Sequence, residues 1–114
     1  MPTSHRTLDN TFRALAAPAR RAVLERLSRG PAAVTELAEP FDMALPSFMQ
    51  HLRILEQGGL VRSRKVGRVR TYEIALPPID SASDWLRARR DTWERRLDQF
   101  DRDLTQLPRK GSDR

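Results

Sequence analysis

"LPSFMQHLRILEQGGLVRSRKVGRVR", residues Leu45 to Arg70, decides how the chain is read. Phe48, Leu52 and Leu55 repeat at intervals of four and three, which places three apolar side chains on one helical face. Pro46 fits a first turn, where no amide donor is needed. Gly58-Gly59 supplies the residue type that ends a helix. The spacing predicts a helix from about Leu45 to Gln57, with Ser47, Gln50, His51 and Arg53 on its more exposed faces. Beyond the glycines the period changes to two. Val61, Ser63, Val69, Thr71 and Tyr72 suit strands, and Val66-Gly67-Arg68 suits a turn. Two antiparallel strands are expected, at about 60–65 and 70–76, with Pro77-Pro78 closing the unit.

Upstream, Leu8, Phe12 and Leu15 have helical spacing and predict a short first helix. A second helix begins near Pro18, carries Val23, Leu24 and Leu27 inward, and stops at Gly30-Pro31. A third, short helix begins at Val34 or Thr35 with Leu37, Ala38 and Phe41 facing inward; Pro40 and Asp42 mark its end. Only Asp42 to Ala44 separate it from the helix at Leu45, which is helix-turn-helix spacing. Downstream, Ser81 and Asp84 have the spacing of a capping box and open a long helix over 81–107. Trp85, Trp93, Leu97, Phe100, Leu104 and Leu107 share one broad face of it. Arg87 with Asp91, and Asp91 with Arg95, support the other side. Residues 108–114 are expected to form a disordered basic tail.

The expected fold is therefore mainly α with a small β-hairpin: a winged helix-turn-helix, one domain over 1–107, ending in a long C-terminal helix. At 114 residues, a single compact domain is all the chain can form. With 39% hydrophobic residues its core is small or is completed by a partner.

The net charge of +6 and pI of about 11.1 favour a polyanionic partner, nucleic acid before an anionic membrane surface. Nineteen of the twenty-one basic residues are arginine, the better group for forked contacts to phosphate and guanine. The charge is local: five basic residues and no acidic one lie between Arg62 and Arg70. No cysteine is present, which removes disulfides, thiolate metal sites and cysteine nucleophiles together. No stretch approaches the eighteen apolar residues of a membrane span, and the first residues lack an apolar signal core, so the expected location is the cytoplasm. There is no phosphate loop and no nucleophile elbow, so an enzyme is not expected. No cofactor is signalled.

The sequence resembles the ArsR/SmtB-type family of small bacterial repressors. The resemblance rests on "LAAPARRAVLERL" (15–27), "VTELAEPFDMALPSFMQHLRILEQGGLV" (34–61) and "GRVRTYEI" (67–74), and it covers roughly residues 8 to 105. It implies a homodimer on a pseudo-palindromic operator, acting mostly as a repressor. It also implies dimerisation through the first and last helices, here Leu8, Phe12, Trp85, Trp93, Leu97, Phe100 and Leu104. The helix at 45–57 would enter a major groove and the hairpin would touch the neighbouring minor groove or backbone. Two departures stand out. Metal-sensing members carry cysteines on the helix here at 34–41, or Asp, His and Glu ligands on the final helix; this chain has no cysteine and no histidine on its final helix. Met49 stands where the family pattern often has a small hydroxyl residue.

His51 admits three readings. A metal site needs at least three converging ligands, and the one other histidine, His5, lies in a terminal stretch expected to be mobile. A catalytic base needs a substrate pocket that nothing signals. A packed structural histidine, or a contact to DNA as the resemblance implies, remains. Ser47 and Gln50 can face one groove, where glutamine pairs two-pronged with adenine. Leu45 either touches a thymine methyl or packs in the core, and Arg53 suits phosphate. In the hairpin, Arg62, Arg64, Lys65, Arg68 and Arg70 repel one another with no acid expected near, which makes an external anion their natural partner. Arg68 at the tip suits a narrow minor groove. Arg20 and Arg21 either reach the DNA backbone or pair with Glu25. The aromatic face of the final helix is covered by a twofold partner or by the first helix of the same chain.

The expected function is a homodimeric, sequence-specific regulator of double-stranded DNA, with no metal and no membrane partner. Two alternatives are a sequence-indifferent nucleoid protein and a protein-interaction module using the basic hairpin.

Overall fold

The computed structural model describes residues 2–107, with side chains from residue 5 onward. The elements run α1 (Pro2–Leu15), α2 (Pro18–Leu27), β1 (Ala32–Ala33), α3 (Val34–Ala38), α4 (Leu45–Gln57), β2 (Val61–Val66), β3 (Val69–Ile74) and α5 (Leu76–Gln106). His5 lies on α1 rather than in a mobile stretch. The tail expected over 108–114 falls outside the described residues.

The end of α4 follows from Gly58-Gly59. Gly59 sits at φ +74, Gly59 N–H donates to Glu56 O at 3.0 Å, and Leu60 N–H donates to Leu55 O at 3.0 Å. These two bonds satisfy carbonyls that would otherwise be orphaned, and they bring the buried pair Leu55 and Leu60 together, as a Schellman cap does. Gly58 must be small for another reason: a Cβ there would lie 3.3 Å from Asn10 O on α1.

Chain direction is thereby set for the hairpin. The register pairs Val66 with Val69, leaving a two-residue loop, Gly67-Arg68, with Gly67 at φ +64. A positive φ at the first loop position alone is the type II′ pattern, whose twist matches that of paired strands.

The structure corrects three expectations. The sheet has three strands, in order β1-β3-β2, because Ala32 and Ala33 pair with Tyr72 and Thr71. Two alanines give no strand signal, so only the edge offered by β3 recruits them. The final helix begins at Leu76, not at Ser81. Pro77 and Pro78 lie in its first turn, where their missing N–H groups have no helical acceptor, so they start the helix instead of ending the hairpin. On its charged side, Arg87 pairs with Asp84 at 3.5 Å and Arg90 with Glu94 at 3.5 Å; the expected partner of Arg87, Asp91, is not the one it meets.

The chain divides into two units along the sequence, one up to Ala82 and one from Ser83 onward. In the first, Val23, Leu24 and Leu27 of α2, Leu37 of α3, and Phe48, Leu52 and Leu55 of α4 join Leu60, Val61 and Tyr72 in one core. Leu52, Leu55 and Leu60 are 0% exposed; full burial of such side chains stabilises by about 1.5–3 kcal/mol each. Phe41 closes the turn between α3 and α4, its ring centroid 5.3 Å from that of Phe48. The second unit is the remainder of α5. Trp85, Trp93, Leu97, Phe100 and Leu104 are all exposed on it, Trp93 to 62%.

Candidate nucleic-acid interface

Because Phe48, Leu52 and Leu55 commit one face of α4 to the core, Ser47, Gln50 and Arg53 are left on the outer face, all exposed. Arg53 turns back along the helix: its Nε and Nη2 donate to Gln50 Oε1 at 3.2 and 2.6 Å. The carbonyl end of Gln50 is thus oriented by a cation, and its two amide N–H donors remain for an incoming acceptor. Leu45 is 57% exposed at the start of the helix, which removes the core-packing alternative for it. Met49 is half-buried and packs against the core, so the residue that departs from the family pattern serves the interior.

His51 is placed differently from its neighbours. It is half-buried, and its Nδ1 lies 3.0 Å from Nη1 of Arg20. Neither expectation for Arg20 holds. Its side chain is buried, and its other donors go to Ala14 O at 2.7 Å and Arg13 O at 3.0 Å. Arg21 likewise turns to a carbonyl, Leu15 O at 2.8 Å, rather than to Glu25. Both arginines follow the last turn of α1, whose carbonyl end attracts cations.

The hairpin is basic but not uncompensated. Register sets Arg62 opposite Glu73, and their side chains pair at 3.6 Å. Arg70 Nη1 donates to Ser63 Oγ at 2.8 Å, and Ser63 Oγ donates to Glu56 Oε2 at 3.0 Å, tying β3 and β2 to the last turn of α4. The expected absence of nearby acids is therefore corrected: Glu73 lies beyond the Arg62–Arg70 run in sequence, and the strand register brings it opposite Arg62. Arg64, Lys65 and Arg68 are exposed, and none has an ion-pair partner among the described residues. Lys65 faces Arg70 across the strands, a like-charge pairing that opposes the hairpin unless an anion intervenes. Strand alternation puts Arg62 and Arg64 on the other face, where with Pro31, Thr71 and Glu73 they line a shallow concavity of about 280 Å³. Beneath this, burial raises the Tyr72 hydroxyl above its ordinary value, with the Glu56 carboxylate adding to the rise.

The expected dimer residues divide. Leu8 and Phe12 on α1 are half-buried, whereas Trp85, Trp93, Leu97, Phe100 and Leu104 are exposed. Arg89 lies over the Trp85 ring at 5.0 Å. Among the described residues, no group of three His, Asp or Glu side chains converges as a metal site would require, and no helix is long and apolar enough to cross a membrane.

A short helix, a tight turn, a helix with a polar outer row and a basic hairpin beside it define a winged helix-turn-helix protein. The comparisons agree. A helix-turn-helix domain model matches residues 15–64. The solved structure of an ArsR family transcriptional regulator, RHA00566, is 55% identical with a TM-score of 0.75, covering 78% of this chain and 92% of that one. The HTH-type transcriptional regulator Rv2034 of Mycobacterium tuberculosis is 40% identical over 72 residues, 63% of this chain and 67% of that protein. A homodimeric winged helix-turn-helix DNA-binding domain, Mb0332 of Mycobacterium bovis, superposes with a TM-score of 0.59 at 26% identity, covering 82% of this chain and 84% of its own. The chain belongs to the ArsR family of transcriptional regulators.

Proposed function

We propose that this protein is a homodimeric repressor that binds a pseudo-palindromic operator in double-stranded DNA in the cytoplasm. Each protomer places α4 in a major groove, with Ser47 and Gln50 toward base edges, Leu45 toward a thymine methyl, and Arg53 and His51 toward the backbone. The hairpin lies along the adjoining backbone, with Arg68 at the minor groove and Arg64 and Lys65 on phosphates. Arg62 and Arg70 reach phosphate by leaving Glu73 and Ser63. The observation that carries this reading is the continuity of two surfaces: the exposed row Ser47, Gln50 and Arg53 on α4, and the unpartnered cations Arg64, Lys65 and Arg68 one glycine cap away. The first can discriminate sequence; the second supplies affinity and register.

Dimerisation is supported by the exposed stripe of Trp93, Leu97, Phe100 and Leu104 on α5, an apolar surface that a second copy covers. Twofold pairing sets two half-sites about one helical turn apart, roughly 34 Å. Repression is then steric, with the occupied operator closed to polymerase. Residues 1–107 act as one DNA-binding module, without metal or cofactor.

The experiment is selection of bound duplexes from a random-sequence pool at a fixed salt concentration. A palindromic consensus is expected. Retention of duplex without consensus identifies a sequence-indifferent nucleoid protein, and no salt-sensitive retention identifies a protein-interaction module.

A further inference from the structure

Among the described residues, Arg20 is the one charged side chain that is buried, at 9% exposure. No carboxylate reaches it among those residues. A buried cation without a counter-charge is costly unless its donors are all used. Of its three nitrogens, Nε and Nη2 meet the carbonyls of Ala14 and Arg13 at the end of α1, where the helix dipole is negative. The third is spent across the fold, on the imidazole of His51 in the middle of α4. A guanidinium can only donate, so Nη1 gives its proton and Nδ1 accepts with its lone pair. Nδ1 therefore carries no proton in this geometry, and the ring's single N–H is at Nε2. Among the described residues no buried side-chain nitrogen lacks a partner, and Nε2 has no partner there, so it is not sealed in the interior.

Building on the DNA reading above, we propose that Arg20 is a positioning residue for DNA recognition: it moors the midpoint of α4 to the end of α1 and makes His51 a donor-only contact. Such a donor suits a phosphate oxygen, or O6 or N7 of guanine, and excludes the amino groups of adenine and cytosine. Apart from the Ser63–Glu56 bond at its last turn, α4 is held by apolar contacts, which resist separation better than they resist sliding or rotation. A directional bond at its centre fixes the angle at which Ser47 and Gln50 are presented. Arg20 touches no DNA itself.

Two readouts on the full-length protein test this. Long-range proton–nitrogen correlation of the imidazole should show the Nε2–H form of His51 in the parent and loss of that preference in Arg20→Met, with Arg20→Lys restoring part of it. Binding is then titrated on the duplex selected by the parent and on an unrelated duplex. Arg20→Met and His51→Ala should each lose about tenfold or more on the selected duplex, the scale of one hydrogen bond to a charged group. The unrelated duplex should lose less than the selected one, because only the selected duplex depends on the angle at which Ser47 and Gln50 are presented. The double variant should lose no more than His51→Ala alone. His51→Ala keeps both bonds from Arg20 to α1, and a urea titration of each variant beside its binding curve separates lost binding from lost folding. An Nδ1–H form in the parent, or losses that simply add, overturns the role of Arg20 while leaving the DNA reading intact. A parent protein that selects no duplex refutes the DNA reading, and this role with it.

Discussion

Replacing Arg68 by alanine separates a wing that touches DNA from one that is merely charged. Arg68 holds the second position of a two-residue loop, is exposed, and has no ion-pair partner among the described residues. A dimer carries two such loops. Each phosphate neutralised on duplex DNA contributes about 0.9 to the slope of log affinity against log salt. Arg68→Ala should therefore flatten that slope by about 1.8. Between about 50 mM and about 200 mM salt, the affinity ratio of parent to variant then changes roughly twelvefold. The companion substitution runs the other way. Glu73 pairs with Arg62 at 3.6 Å on an exposed surface, and such pairs are worth about 0.2–1 kcal/mol. Glu73→Gln releases Arg62 on both wings, so binding should tighten about two- to thirtyfold over the two pairs. Both are measured by fluorescence anisotropy of a labelled duplex over a salt series. An unchanged slope in Arg68→Ala removes the hairpin tip from the contact set. Weaker binding by Glu73→Gln would mean that the carboxylate aims Arg62 rather than occupying it.

Four further outcomes are expected. Gly59→Ala forces a side chain into φ +74 and sets its Cβ 3.3 Å from Pro78 Cγ; a cost of about 1–2 kcal/mol lowers Tm by roughly 4–16 °C, and an unchanged Tm would show that the positive φ places no constraint on the cap. Gln50→Ala should weaken the selected duplex by about 1–3 kcal/mol and spare unrelated DNA; equal loss on both contradicts base reading. Trp93→Glu places a charge in the exposed stripe of α5, and sedimentation should show the dimer shifting to monomer, whereas an unaltered mass places the interface elsewhere. Tyr72 has its pKa raised above 10.0 in the fold, chiefly by burial. The folded state then resists ionisation more than the unfolded one, so this stability is whole below about pH 10 and is lost as pH rises through the raised value. Urea titrations across that range should show Tyr72→Phe losing less than the parent, and parallel losses would rule the hydroxyl out.

Much of the interface was legible in the chain. The period of Phe48, Leu52 and Leu55 identified the buried side of α4, and by subtraction its outer row. Gly58-Gly59 and Gly67 located the two points where the chain reverses, because only a residue without a side chain adopts φ +74 or +64 easily. Local chemistry of this kind is complete within a few residues. The errors share an opposite character. The two prolines at 77 and 78 stop or start structure depending on whether a helix follows, and the apolar Leu76 and Ile79 answer that only when Ile79 packs on the core. The strand at Ala32–Ala33 exists because β3 lends it an edge.

The sequence by itself determined the helix periods, the turns, the excess of arginine between Arg62 and Arg70, and the absence of thiolate ligands. Those depend on composition and on neighbours along the chain. Only the tertiary structure decided what each arginine does. Arg20 and Arg68 have the same guanidinium; one is buried against α1 and His51, and the other is exposed at a loop tip. A guanidinium's role depends on which acceptors lie within about 3 Å of it, and for Arg20 one of them is thirty-one residues away. His51 follows the same rule. Its identity allowed ligand, base or contact, and the partner brought by α2 left its Nδ1 an acceptor.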